Sequence, residues 1–420
     1  MDKKNNPVLI NQNKQKGTLF LMENLTIFGK EIIDENIIKQ IKNCFSNEDY
    51  AALTADANYS SGHPNGGIVA YKNKISLSGV GFDIACGNKA VKTNIKADDI
   101  DVPKIMDEIF SQISFGLTRP NNEPIDHPIF DKINKAVFAP QKSLLQLAIA
   151  QFATVGSGNH YIDLFRDDDG WLWIGVHFGS RGFGHKTTTG FIAMNQGLEF
   201  NEKAKETGGM DAPPILFDTN SEIGQAYISA MNLAGEYASA GRDTVVNKVL
   251  KILGTKSTFE VHNHHNFAWR EEHFGEKFWV VRKGCTPAFP GQKGFVGATM
   301  ADTSVIIEGV ESELSKKGLY STIHGAGRLM SRTFAAGKKK WIDGKQTIVA
   351  KGKVNFDQVK AKLKANRIEL RGGGADEAPE CYKKLKEVLA LQGETIKIIN
   401  HLYPIGVAMA GSEIVDPYKD

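Results

Sequence analysis

Ile323-His324-Gly325-Ala326-Gly327-Arg328-Leu329-Met330-Ser331-Arg332 sets one histidine in a run of small residues, with arginines four and eight positions further on. Glycines let backbone amides approach a phosphate without a Cβ in the way. Arginines offer planar forks matched to phosphate oxygens. The imidazole has the chemistry of a nucleophile toward phosphorus, a general base or a metal ligand. A helix start capped by the histidine is the plain structural alternative.

Working outward, other reactive side chains stand among glycines. Gly79-Val80-Gly81-Phe82-Asp83-Ile84-Ala85-Cys86-Gly87 holds an acid and a thiol three apart. The third glycine of a dinucleotide fingerprint is missing and no helical pattern follows, which argues against Rossmann-type binding. The spacing instead lets a carboxylate and a thiolate reach one cation. Gly156-Ser157-Gly158-Asn159-His160 follows a helical pattern over residues 143–152. The apolar run 171–176 predicts a strand that delivers His177 into Phe178-Gly179-Ser180-Arg181-Gly182, a usual address for a ligand-binding residue, with His185 just beyond. Glu260-Val261-His262-Asn263-His264-His265-Asn266 carries three histidines in four residues. In an extended chain His262 and His264 share one face and His265 takes the other. Asp83, Cys86, His160, His177 and one of His262, His264 and His265 form a mixed oxygen, sulfur and nitrogen donor set. Five donors exceed one tetrahedral ion, so a two-metal site with a bridging donor is expected. Softness alone favours zinc.

Helical periodicity covers residues 34–45, 102–115 and, longest, 221–253, where Ala226, Ala230, Ala234 and Ala238 predict close helix packing. Residues 67–71 and 278–281 read as strands. Arg282-Lys283-Gly284 suits an anion site and a solvated turn equally. Residues 338–371 hold eleven Lys/Arg against three acids, the pattern of a solvated helix face or of an RNA-backbone surface. No repeat, linker or sharp boundary divides the chain. We expect one α+β catalytic domain over residues 18–411, between a flexible tail 1–17 and an extension 412–420. The net charge of +3 leaves any nucleic-acid affinity to local patches. Four scattered cysteines point to a reducing compartment, the cytoplasm. The polar start lacks a signal-peptide core and no apolar run is long enough to span a membrane.

In this order, the motifs Gly81 to Gly87, Gly156 to His160, His177 to Gly182, His265-Asn266, Arg282-Lys283-Gly284, His324 to Arg332 and Asp376-Glu377-Ala378-Pro379 with Tyr382-Lys383 resemble those of the RtcB-type RNA ligases. The resemblance spans roughly residues 50–411. It implies a single large domain with mixed sheets, surrounding helices and a central cleft for two metal ions and a nucleotide. It implies an enzyme that joins RNA 2′,3′-cyclic phosphate or 3′-phosphate ends to 5′-hydroxyl ends, using GTP and two manganese ions, in RNA repair or tRNA splicing. By motif matching, His324 is the nucleophile that becomes a covalent guanylate. Asp83, Cys86, His160, His177 and His265 are the metal ligands, with Cys86 bridging. Asn159, His160, Asp163, Asn266, Gly297, Ala298, Thr299, Met300, Ser304, His324, Gly325, Ala326, Gly327 and Tyr382 surround the nucleotide. Arg181, Arg328 and Arg332 face phosphates, and Asp56 is a further site residue. A monomer is expected, and the need for an archease-like activator is left open.

The chain departs from the family pattern at several places. Thr54-Ala55-Asp56-Ala57-Asn58 stands where Met-Pro-Asp-Val-His is usual, keeping the acid and losing the histidine. Asp163 replaces a glutamate and Thr299 a serine. Ala410 occupies the place of a lysine near the guanine, and Lys419 lies in the extra tail. The choice of base is therefore left open. Two rivals keep part of the pattern: a two-metal phosphoesterase acting on RNA ends without nucleotide transfer, and a non-catalytic RNA-end binding protein.

Overall fold

In the strand Trp171–Phe178, Leu172, Ile174 and Val176 join one buried cluster while Trp173 joins another, because successive strand side chains point to opposite faces. Tyr161–Asp167 repeats the alternation, with Ile162 and Leu164 on the first face and Tyr161 and Phe165 on the second. A sheet buried on both sides follows. In this computed structural model it runs Ser257–His264, Gly87–Lys96, Trp171–Phe178, Tyr161–Asp167, Ile396–Gly411, Ser304–Gly309, Lys293–Val296, with antiparallel neighbours throughout. Glu369–Gly373 adds a parallel partner to the later half of the long strand Ile396–Gly411. The structure describes residues 20–22, 24–116, 121, 125–205, 209–342, 345–412 and 414. The expected tail 1–17, Lys419 and most of 412–420 lie outside them.

Helices cover the first face. Glu222–Leu253 is capped by Ser221, whose side chain accepts from Gly224 N–H, and closed by Gly254 in the left-handed region. Ala230, Ala234 and Ala238 are buried along it, as the small-residue face requires. Arg181–Asn195 packs beside it. The motif reading did not expect that helix, because Gly182, Gly184 and Gly190 obscure its pattern. On the second face, Phe356–Ala365 contributes Val359 and Leu363 to the cluster around Trp173. No helix among the described residues is long and apolar enough to cross a membrane.

A smaller sheet runs Phe20–Met22, Leu25–Ile27, Tyr50–Asn58, Asn65–Tyr71, Glu276–Lys283, Asn266–His273. The chain passes from the larger sheet to this one at a single residue: Ser257–His264 ends in the first and Asn266–His273 begins in the second, leaving His265 between them.

Two sequence readings are corrected. Arg282-Lys283 is neither an anion site nor a solvated turn. Arg282 is buried and its Nη1 lies 2.7 Å from Glu271 Oε1, while Lys283 Nζ donates to Ser61 O and His63 O, both at 2.9 Å. Charges removed from water need such partners. Residues 338–371 are not one helix face. They form a hairpin, Gly337–Ile342 with Lys345–Lys351, then the helix Phe356–Ala365 and the strand Glu369–Gly373. Lysines at consecutive positions hid the period of two.

Candidate active site

Four segments deliver the donor atoms. Asp83 and Cys86 lie in the turn that follows the short helix Leu77–Val80. That turn is tied down by Ala85 N–H donating to Asn266 O (2.7 Å) and His265 N–H donating to Cys86 O (2.8 Å). His160 immediately precedes Tyr161–Asp167, His177 is the penultimate residue of Trp171–Phe178, and His265 is the crossover residue. Cys86 Sγ stands 3.3 Å from His177 Nε2 and 3.5 Å from His160 Nε2. His177 Nε2 is 3.3 Å from His265 Nε2, and His160 Nε2 is 3.1 Å from Asp83 Oδ2. Two groups result, Cys86–His177–His265 and Asp83–Cys86–His160, with donor atoms within 4.8 Å of one another in each. Cys86 belongs to both, the arrangement a bridged cation pair needs.

Accounting for the protons supports a cation here. His177 Nδ1 donates to Asn159 O (3.0 Å), which leaves its Nε2 as a lone pair facing His265. Burial and the neighbouring imidazoles hold both His177 and His265 well below the ordinary histidine pKa. Burial, then the Asp83 carboxylate, pushes the Cys86 thiol well above its ordinary range, against the charges of Arg242 and Arg181. Burial also raises the Asp83 carboxyl, but His160 and Arg181 outweigh it and hold the group at about 2. Imidazoles at His177 and His265 biased toward the neutral form, a carboxylate, and a thiol whose deprotonation a bound cation would favour form a set of metal donors. Arg181 Nη1 donates to His160 Nδ1 (3.1 Å), so the ring proton sits on Nε2, facing Asp83 Oδ2 (3.1 Å); holding a cation at Nε2 would need that proton to move to Nδ1 and Arg181 to give up its bond there.

The other two histidines of the cluster do not touch this set. Arg242 Nε donates to His262 Nε2 and its Nη2 to His264 Nδ1, both at 2.9 Å. Its Nη1 donates to Ala85 O (2.9 Å) and Phe178 O (2.5 Å). One fully buried guanidinium thus ties the backbone beside Cys86 and His177 to the imidazole of His264, which neighbours His265. Burial pulls its pKa down to about 10. Arg242→Leu would strip two carbonyls and two imidazoles of their donor, at roughly 1–3 kcal/mol for each group left unsatisfied. We expect a loss of about 3 kcal/mol or more in urea unfolding; an unchanged midpoint would show that this tie contributes nothing.

His324 follows the strand Ser321–Ile323, and its ring centroid lies 4.9 Å from that of His265. Asp56, fully buried in Tyr50–Asn58, accepts from His324 Nδ1–H (2.7 Å), from the backbone N–H of His324 (3.1 Å) and Gly325 (3.3 Å), and, at its other oxygen, from Thr54 O–H (2.5 Å). Nδ1 therefore carries the proton and Nε2 is free for chemistry. Gly327 adopts a φ of 77°, and a Cβ there would stand 2.1 Å from Asp56 O, so the loop can pass this close only as glycine. Lys383 Nζ braces the same strand through Ala55 O (3.0 Å) and Ala57 O (3.1 Å).

His177, His324, Gly327 and Lys383 line a cleft of about 1100 Å³, whereas Asp56, Asp83, Cys86, His160, Arg181 and His265 are not among its lining residues. Of the residues proposed around a nucleotide, Asn159, Asp163, Gly297 to Met300, His324 to Gly327 and Tyr382 line it. His160, Asn266 and Ser304 do not line it: Asn266 Oδ1 accepts from Gly284 N–H (2.7 Å), and Ser304 Oγ accepts from the N–H of the lining residue Ala298 (2.9 Å). Arg328 Nη1 donates to Tyr382 O–H oxygen (2.9 Å) and Nη2 to Asp376 O (2.9 Å), while Arg332 pairs with Asp376 (3.4 Å) and Glu377. On the cleft floor Tyr161 OH and Asp163 Oδ1 are buried without a hydrogen-bond partner.

Residues 38–410 match the family model described as tRNA-splicing ligase RtcB. The chain belongs to the RtcB family. An RNA-splicing ligase RtcB from Escherichia coli is 29% identical over 379 residues, covering 83% of this chain and 87% of that protein. A tRNA-splicing ligase RtcB from Thermococcus kodakarensis is 26% identical over 442 residues (86% and 87%). An RNA-splicing ligase RtcB homolog from Entamoeba dispar is 30% identical over 437 residues (83% and 77%). The single α+β domain agrees with RtcB membership. What motif reading missed in this RtcB chain is the support: Arg242 inside an apparently ordinary helix, and Glu377, present in a quoted motif but given no role.

Proposed function

We propose that this chain is a GTP- and manganese-dependent RNA ligase joining 2′,3′-cyclic phosphate or 3′-phosphate RNA ends to 5′-hydroxyl ends through a covalent His324–guanylate. The observation that carries the reading is His324 itself: its proton is held on Nδ1 by buried Asp56, and the ring lies against a donor set for two cations that share Cys86. The RNA-splicing ligase names of its relatives point the same way.

Residues of the chain supply each part. His324 Nε2 attacks the α-phosphorus, the bond to pyrophosphate breaks, and Asp56 offsets the positive charge gained by the ring. The GMP then passes to an oxygen of the RNA 3′-phosphate, freeing His324, and the 5′-hydroxyl displaces GMP as the new phosphodiester forms. Two manganese ions held by Asp83, Cys86, His160, His177 and His265 would offset triphosphate charge. Backbone amides of the two glycine loops, Gly297 to Met300 and Gly325 to Gly327, suit the phosphates. Burial pushes the Asp163 carboxyl well above its usual range, toward the neutral form that can donate as well as accept. With Tyr161 OH it offers a purine edge two unsatisfied partners. Arg181, Arg328 and Arg332 would meet phosphates of GTP or RNA. We place the protein in the cytoplasm, as a monomer acting in RNA repair or tRNA splicing.

The test is incubation with α-labelled GTP and manganese, beside ATP and beside His324→Ala. Acid-labile label from GTP, absent in the variant, is expected. Equal label in the variant would remove His324 as nucleophile, and label from ATP alone would change the nucleotide.

A further inference from the structure

The chain leaving the cleft carries a feature that the reaction above does not use. Leu329 is 62% exposed and Phe334 58% exposed. They flank Arg332, which with Leu329 lines the cleft. The segment is anchored: Lys353 N–H donates to Phe334 O (3.0 Å) and Val354 N–H to Ala335 O (3.1 Å). Gly337, at a φ of 88°, lets the hairpin root close, since a Cβ there would stand 2.4 Å from Ala350 O. Lys353 Nζ stands 5.6 Å over the Phe334 ring, and Lys338, Lys351 and Lys353 are exposed at the hairpin root. Residues 329–355 contain seven Lys/Arg and one acid.

We infer that this ridge takes single-stranded RNA next to the ends being joined. An unpaired base stacks on Phe334 beside Leu329, and the flanking phosphates lie along Lys338, Lys351 and Lys353. The inference rests on the RNA-ligase reading and deepens it. The chemistry favours an RNA strand over a protein partner. Even with Val349 on the hairpin and Ile32 beside the cleft also exposed, four scattered apolar side chains fall far short of the area a stable protein interface buries, roughly 800 Å² per partner. Arg332 is paired with Asp376 and Glu377, but residues 338–353 carry six lysines against one acid, the excess a phosphate backbone requires. A ring standing in water stacks on any unpaired base, whereas duplex bases are already stacked. The ridge is continuous with the cleft, so a strand whose end lies at His324 must leave past it or its opposite rim.

The test uses the full-length protein and a fluorescein-labelled oligouridylate ending in a 3′-phosphate, titrated by anisotropy over a salt series. Phe334→Ala is expected to weaken binding roughly five- to a hundredfold at every salt concentration. The double variant Lys351→Glu with Lys353→Glu is expected to flatten the log–log salt dependence by about 1.4, the single-strand value for two phosphates. Thermal melting and GTP labelling without RNA should match wild type in both. Unchanged RNA affinity and slope in both variants, with labelling intact, overturns the ridge and leaves the ligase reading standing. Reduced affinity in the variants of a protein that takes no label keeps the ridge and overturns the ligase.

Discussion

Cys86→Ala is expected to empty both metal sites at once. The thiol is the one donor common to the two groups, 3.3 Å from His177 Nε2 and 3.5 Å from His160 Nε2. Each group would keep only two donors. We expect manganese content, measured by elemental analysis after loading and desalting, to fall from about two equivalents to well under one, with affinity weakened at least about a hundredfold. His160→Ala is the contrast: it spares Cys86–His177–His265 and should leave about one equivalent. Two ions retained in Cys86→Ala would sink the bridging role. The thiol's pKa lies above the ordinary range without metal, so loading releases its one proton, with the first ion that binds the sulfur. Wild-type manganese affinity should then rise about tenfold per pH unit below that pKa, and calorimetry in buffers of different ionisation enthalpy would count the proton.

Asp56→Asn is expected to slow guanylate formation by about 10²- to 10⁴-fold while leaving manganese content intact. The carboxylate sits 2.7 Å from His324 Nδ1, and an amide presenting its NH₂ there would favour the tautomer with Nε2 protonated. Single-turnover labelling measures the rate, and an unchanged rate would dismiss Asp56 as an orienting group. The same carboxylate affects stability. Burial raises its pKa, but the His324 charge, the hydrogen bonds from His324 and the Thr54 hydroxyl outweigh it and hold it below the ordinary value. A group depressed on folding stabilises above its unfolded pKa and loses that contribution as pH falls through the folded one. The gap in urea midpoint between wild type and Asp56→Asn should therefore be full at pH 7 and narrow below about pH 4.

Much of the donor set was legible because each donor stands in a short local pattern. Alternation along an extended chain already set His265 opposite His262 and His264. Which face meets Cys86 was not legible, since that depends on the strand crossing from one sheet to the other at His265. The partner of His324 illustrates the same limit: Asp56 lies 268 positions away in the chain, and residue 56 was marked only through a resemblance. Arg242 gave no signal, since a basic residue on a long helix reads as solvated until tertiary packing buries it. Arg282 and Lys283 misled for the same reason.

By itself the sequence determined the alternation of apolar side chains, the glycine turns and the chemical types of the donors, because these depend on residues within a few positions of one another. The tertiary structure alone decided which donors share Cys86, which proton His324 keeps and which charges leave water. Those outcomes rest on distances between segments far apart in the chain, and only the packing of two sheets against the long helix sets them.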